Sequence, residues 1–104
     1  GAETNGLVHV RAQTVPLQGL PTPFLEDDRM VAVIYSADDV DTAVDGAVHR
    51  MAQFLTQFAG MPLNDAGMLM SLVGELKFCQ VVDPKKTVRF EFPKSVLADY
   101  GYRF

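Results

Sequence analysis

Apolar and polar residues alternate from Leu7 to Val15, with Val8, Val10 and Ala12 on one side and His9, Arg11 and Gln13 on the other. A period of two places each set on its own face of an extended chain, so the segment predicts a half-buried first strand. Pro16 to Asp28 holds three prolines and one glycine. Proline fixes φ and offers no amide donor, which predicts a loop there. Arg29 to Tyr35, rich in β-branched residues and apolar on both faces, reads as a second strand.

At Ser36 the period changes. Ser36 followed three residues on by Asp39 resembles a capping box, and Asp38, Asp41 and Asp45 suit the positive end of a helix dipole. Val40, Ala43, Val44, Ala47, Val48, Met51, Phe54, Leu55 and Phe58 then recur at helical spacing, and Gly60 suits the position just past the helix end. After Met61-Pro62-Leu63, Asn64 is a good cap for a second helix that turns Met68, Leu69, Leu72 and Val73 inward and stops at Gly74. Leu76–Val82 and Thr87–Phe92 flank Asp83-Pro84-Lys85-Lys86, whose Asp and Pro favour a type I turn, so a hairpin is expected. In it Val88, Phe90 and Phe92 face inward and Thr87, Arg89 and Glu91 outward.

The order β-β-α-α-β-β predicts an α+β fold: an antiparallel or mixed four-stranded sheet with two helices packed on one face. Residues 1–104 read as a single domain. The tail carries Tyr100, Tyr102 and Phe104 at alternate positions, and such an end either docks on a neighbouring domain or subunit or frays.

Composition narrows the classes of function. The formal charge is −4, nine basic residues are scattered, and the acids concentrate between Glu26 and Asp45. This is not the surface that holds nucleic acid or an anionic membrane, both of which need clustered positive charge. The longest apolar runs, such as Met30–Tyr35, fall far short of the roughly 20 residues of a membrane span. One cysteine, Cys79, excludes an internal disulfide and a multi-thiolate zinc site, and leans toward a reducing, cytoplasmic compartment. There is no initiator methionine, and the opening Gly-Ala-Glu reads as mid-sequence, so a processed or truncated product is expected.

From Gly67 to Lys94 the chain resembles the closing segment of the acetamidase/formamidase family. The resemblance rests on Leu63 to Ala66, Gly74-Glu75-Leu76, Gln80-Val81-Val82-Asp83-Pro84, Val88 and Pro93-Lys94, and the long helix and the first strand fall where the family places them. It implies the C-terminal domain of a hydrolase that converts short linear amides to carboxylate and ammonia. It further implies a small amide substrate and association, either in a homo-oligomer or with a missing N-terminal region. Two departures stand out. Glu75 replaces the family's usual Asp, and the Gln-Gly-Asp-Gly-Glu-like segment expected upstream has no counterpart.

Glu75, at a helix-to-strand junction, is the leading candidate for a general base or a metal-site carboxylate; bonding backbone amides is its structural alternative. Glu3 resembles an acid of the family's middle segment, against the alternative of a free terminus. Gln80 is a candidate substrate-binding amide if neighbouring backbone does not satisfy it. Glu75, Lys77 and Cys79 lie two apart, so an extended backbone turns them to one side. Catalytic groups converge from different elements, however, and Cys79 reads better as a packed small hydrophobe. His9 and His49 lack the spacing partners of a zinc site. No metal or cofactor is therefore expected within the chain, while the resemblance leaves open a divalent metal in the complete enzyme.

Overall fold

The computed structural model describes residues 2–16 and 19–103. Its elements are β1 (Phe24–Glu26), β2 (Met30–Ala37), α1 (Val40–Gln53) continued by a π-helical turn (Phe54–Phe58), α2 (Leu63–Val73), β3 (Glu75–Gln80), β4 (Lys86–Pro93) and α3 (Lys94–Asp99). The four strands form one antiparallel sheet in the order β1-β2-β4-β3, and α1 and α2 lie on one face of it. The expected α+β class holds. The strands that build it differ in part.

The alternating stretch from Leu7 to Val15 is not a strand of this sheet. Residues 2–16 form no helix or strand, and Leu7, Val8 and Val10 are 85%, 82% and 83% exposed. Period-two patterning makes a strand only where an edge accepts its ladder, and no strand of the sheet lies beside it. The first strand instead falls inside the expected loop. Phe24–Glu26 pairs with Val31–Val33, and the turn between them is held by Asp27 Oδ1, which accepts from the amides of Arg29 at 2.7 Å and Met30 at 2.9 Å. Three residues behind a proline are too few for periodicity to register.

β2 runs on through Ser36 and Ala37, so Ser36 is not a cap. Its hydroxyl meets that of Thr87 at 2.8 Å across the sheet. Asp39 is the cap, accepting from the Thr42 amide at 2.8 Å and its hydroxyl at 2.9 Å. Gly60, with φ 69°, occupies the left-handed position that ends the long helix, as expected. α2 opens behind Pro62 without a side-chain cap, with Asn64 inside it.

The inward stripe of α2 also differs from expectation. Ala66 and Met70 are buried one turn apart and Leu69 packs beside them, whereas Met68 and Leu72 face out. Alanine at the contact lets the helix settle close to the sheet. The core then joins Val31 and Val33 of β2, Val88, Phe90 and Phe92 of β4, and Ala43, Ala47, Met51, Phe54 and Leu55 of the long helix.

The tail does not reach outward. Lys94–Asp99 is helical, Leu97 is fully buried, and the Tyr102 ring meets Phe54 edge-on at 5.5 Å. Phe24 reaches the same ring at 4.9 Å, so β1, the long helix and the tail share one aromatic cluster. Phe104 lies outside the described residues.

Candidate functional site

Side chains alternate across a strand, so the residues of β2, β3 and β4 that do not face the helices line up on the open face of the sheet. Pairing sets the rows: Ala32, Glu91 and Glu75 in one, Ile34, Arg89 and Lys77 in the next. Glu75 is thus directly opposite Glu91, and Lys77 opposite Arg89. Like charges facing each other across a ladder are unfavourable, but here each row of one sign lies beside a row of the other. The Lys77 ammonium meets Glu75 Oε2 at 3.2 Å and Glu91 Oε1 at 3.0 Å, and Arg89 Nε donates to Glu91 Oε2 at 2.8 Å. Three ion pairs thus link the four charges in an open chain, Glu75–Lys77–Glu91–Arg89.

The two acids in it are not equivalent. Glu91 is 8% exposed and both its oxygens are held by cations. Burial alone would push its carboxyl pKa up; the hydrogen bonds from Lys77 and Arg89 outweigh that and leave it below the ordinary 4.5. Such a carboxylate is a fixed negative anchor and a poor proton acceptor. Glu75, by contrast, has a side chain 65% exposed and meets one cation only. Lys77 is held in its charged form chiefly by the hydrogen bond to Glu91 and next by that to Glu75.

Beside this charge chain, where the C-terminal end of α2 meets the sheet, lies a cleft of about 180 Å³. Arg29, Glu75, Lys77 and Glu91 supply its polar lining, and Val73 and Phe92 are among its apolar walls. Gly74 makes the junction possible. A Cβ on it would come within 2.5 Å of the Met70 carbonyl oxygen and of the Phe90 ring. Helix and strand therefore meet in a single residue, and Glu75 is delivered to the rim. A second, apolar groove of about 350 Å³ runs between α1 and α2, with Val48, Ala52, Leu63, Met70 and Phe90 in its lining. It offers no ionisable side chain.

The residues expected from the sequence separate here. Glu75 and Lys77 line the cleft; Glu3 and Gln80 do not. Glu3 is exposed within residues 2–16, which form no helix or strand. Gln80 braces the hairpin turn, its Oε1 accepting from the Asp83 amide at 3.0 Å and its Nε2 donating to the Lys85 carbonyl. Cys79 is exposed rather than packed, at a bulge in β3, with Arg89 Nη1 3.7 Å from its sulfur. Among the described residues no three His, Cys, Asp or Glu side chains converge as metal ligands. Glu91 was missed because alternation assigned it to the solvent side. The available signal was the spacing of Arg89 and Glu91 opposite Glu75 and Lys77, which becomes a linked set of charges only once the hairpin register is known.

No family model and no curated protein sequence matches this chain. Solved structures do. The chain is 35% identical to an acetamidase from Bacillus halodurans, over 80% of this chain and 28% of that one, with a TM-score of 0.75. A predicted acetamidase/formamidase from the thermophile Thermoanaerobacter tengcongensis is 37% identical over 78% of this chain and 27% of its own, with a TM-score of 0.71. An acetamidase from Yersinia enterocolitica is 30% identical over 71% of this chain and 22% of its own, with a TM-score of 0.68. The chain spans about a quarter of the length of these proteins. The resemblance read from Gly67–Lys94 thus extends to the three-dimensional fold.

Proposed function

We propose, from a likeness to acetamidases and formamidases that runs through 80% of the chain, that it is the C-terminal part of an amide hydrolase. The substrate is a short linear amide, released as carboxylate and ammonia. That likeness is the observation that carries the reading. The cleft beside Glu75 forms one wall of the pocket, and the remaining wall comes from the rest of an amidase-length polypeptide or from another subunit. The single exposed thiol suits a cytoplasmic setting.

In the cleft Glu75 is the group able to take a proton from an attacking water, because its carboxylate is exposed and meets one cation only. Lys77, cationic and anchored by Glu91, presents positive charge to an amide oxygen as negative charge develops on it. Glu91 and Arg89 are positioning residues, acting through Lys77. A divalent metal in the complete enzyme would join through Glu75, the acid with an oxygen to spare. Glu3 and Gln80 enter this reading only if the complete enzyme moves them, since Glu3 is exposed in a segment outside the helices and strands and Gln80 is committed to its turn.

The test follows ammonia release from formamide and acetamide, together with amide chemical shifts of the isotope-labelled chain titrated with acetamide. Shifts confined to residues 73–77 and 91–93, lost in Glu75→Ala, support the pocket wall, and turnover abolished by the same substitution makes the chain sufficient for catalysis. The absence of both, with no shifts at the cleft and no ammonia above buffer, would refute the assignment. A non-catalytic assembly module is the second reading, favoured by the exposed apolar side chains of Leu7, Val8 and Val10.

A further inference from the structure

Two features of the chain are each incomplete. Leu7–Val15 has the alternation of a strand and no edge to pair with, so its valines lie in water. β3 ends the sheet with β4 on one side only, and its helix-side residues Leu76 and Phe78 remain 39% and 54% exposed. A free edge with uncovered apolar side chains is a template for one more strand.

We propose that Val8–Arg11 of one copy adds as an antiparallel strand to Glu75–Phe78 of a second copy, and reciprocally, closing a two-fold dimer. Both halves of the contact are on the same chain. A second copy therefore satisfies both at once, which is the property of a closed, isologous interface.

Side-chain parity and charge select the register. Matching apolar to apolar faces allows only shifts of two residues. With Val8 opposite Phe78 and Val10 opposite Leu76, His9 falls opposite Lys77 and Arg11 falls opposite the exposed carboxylate of Glu75. The neighbouring register that sets Ala12 opposite Leu76 instead places Arg11 opposite Lys77, two cations face to face, which is unfavourable. The bulge beginning at Phe78 ends the regular ladder, so pairing covers Glu75 to Phe78.

Sedimentation equilibrium on the 104-residue chain, from micromolar to near-millimolar concentration, measures the assembly, and amide hydrogen exchange maps it. The expected species has twice the 11.4 kDa of the chain. Residues 8–11 and 75–78 gain protection together as concentration rises. Val8→Asp combined with Val10→Asp gives a monomer whose thermal melt no longer depends on concentration and matches that of the parent at concentrations too low for it to dimerise. Arg11→Glu weakens association several-fold, and adding Glu75→Arg restores it. A monomer at every concentration overturns the proposal, as does a dimer indifferent to the valine pair or an open-ended series of larger species. Failure of the charge swap to restore association overturns the register and with it the stated contact.

Discussion

Two glycines at α2 make opposite predictions from the same substitution. Gly74 has φ −72° and ψ 148°, a backbone any residue adopts, so its requirement for glycine is one of space. A Cβ there would stand 2.5 Å from the Met70 carbonyl oxygen and 2.5 Å from Cε1 and Cζ of Phe90, which is itself buried. Ordinary carbon contacts are about 3.5–4.0 Å, so helix end or ring must retreat by about 1 Å. Neither is the free end of a flexible side chain. Overpacking of this kind costs about 1–3 kcal/mol, less the few tenths to about 1 kcal/mol that alanine gains by restricting the unfolded chain. Gly67, by contrast, lies within α2 with nothing near its absent Cβ. Alanine there should stabilise by up to about 1 kcal/mol. Urea unfolding at neutral pH measures both. With a slope of about 1–3 kcal/mol per M, Gly74→Ala lowers the midpoint by about 1 M and Gly67→Ala raises it by a few tenths. Phe90→Leu in the Gly74→Ala background recovers part of the loss, because the two side chains compete for one space. Gly74→Ala as stable as the parent, or two alanines shifting the midpoint the same way, would refute the reasoning. Glu75 is the next residue, so the same displacement should also widen the cleft.

Further consequences are as direct. Gly46→Ala on α1 sets a Cβ 2.5 Å from the Tyr35 ring, which Arg50 covers from 4.4 Å; a loss of about 1–3 kcal/mol in urea is expected, relieved by Tyr35→Val. Leu97→Ala should cost about 2–5 kcal/mol, since that side chain is fully buried, and a melt within a degree of the parent would mean the tail does not dock as described. Glu91 has a folded pKa lowered from 4.5, so the stability it contributes is complete above that value and is lost as pH falls through the lowered one. Stability measured from pH 7 down to 3 should therefore decline below about 4.5, and Glu91→Gln should flatten that decline; an unchanged slope would show that Glu91 does not bind its proton differently on folding.

The long helix and the closing hairpin were legible in the chain because each carries a full period of its own signal. Nine apolar positions at helical spacing and a Gly60 that adopts φ 69° leave little else for residues 40–60 to do. Aspartate and proline at the turn likewise announced the hairpin. The short β1 and the helical tail were not legible. Three residues show no period, and a six-residue helix is held by burying Leu97, a contact with residues distant in sequence.

Glu75 could be singled out as a candidate from its place at the junction, but its surroundings could not be read from the sequence. The order of residues shows which ones are apolar, where the period switches between two and 3.6, and which short segments resemble known amidases. Which alternating segments find an edge is settled by packing: Leu7–Val15 has all the local marks of a strand and pairs with nothing in the sheet, while Phe24–Glu26 has almost none and pairs with β2. Packing also decided that Glu91 is an anchor and not a solvent-facing charge. The reason is the same in both cases. A strand, and a buried ion pair, are properties of two pieces of chain in register, and register is set by packing across the sheet rather than by either piece alone.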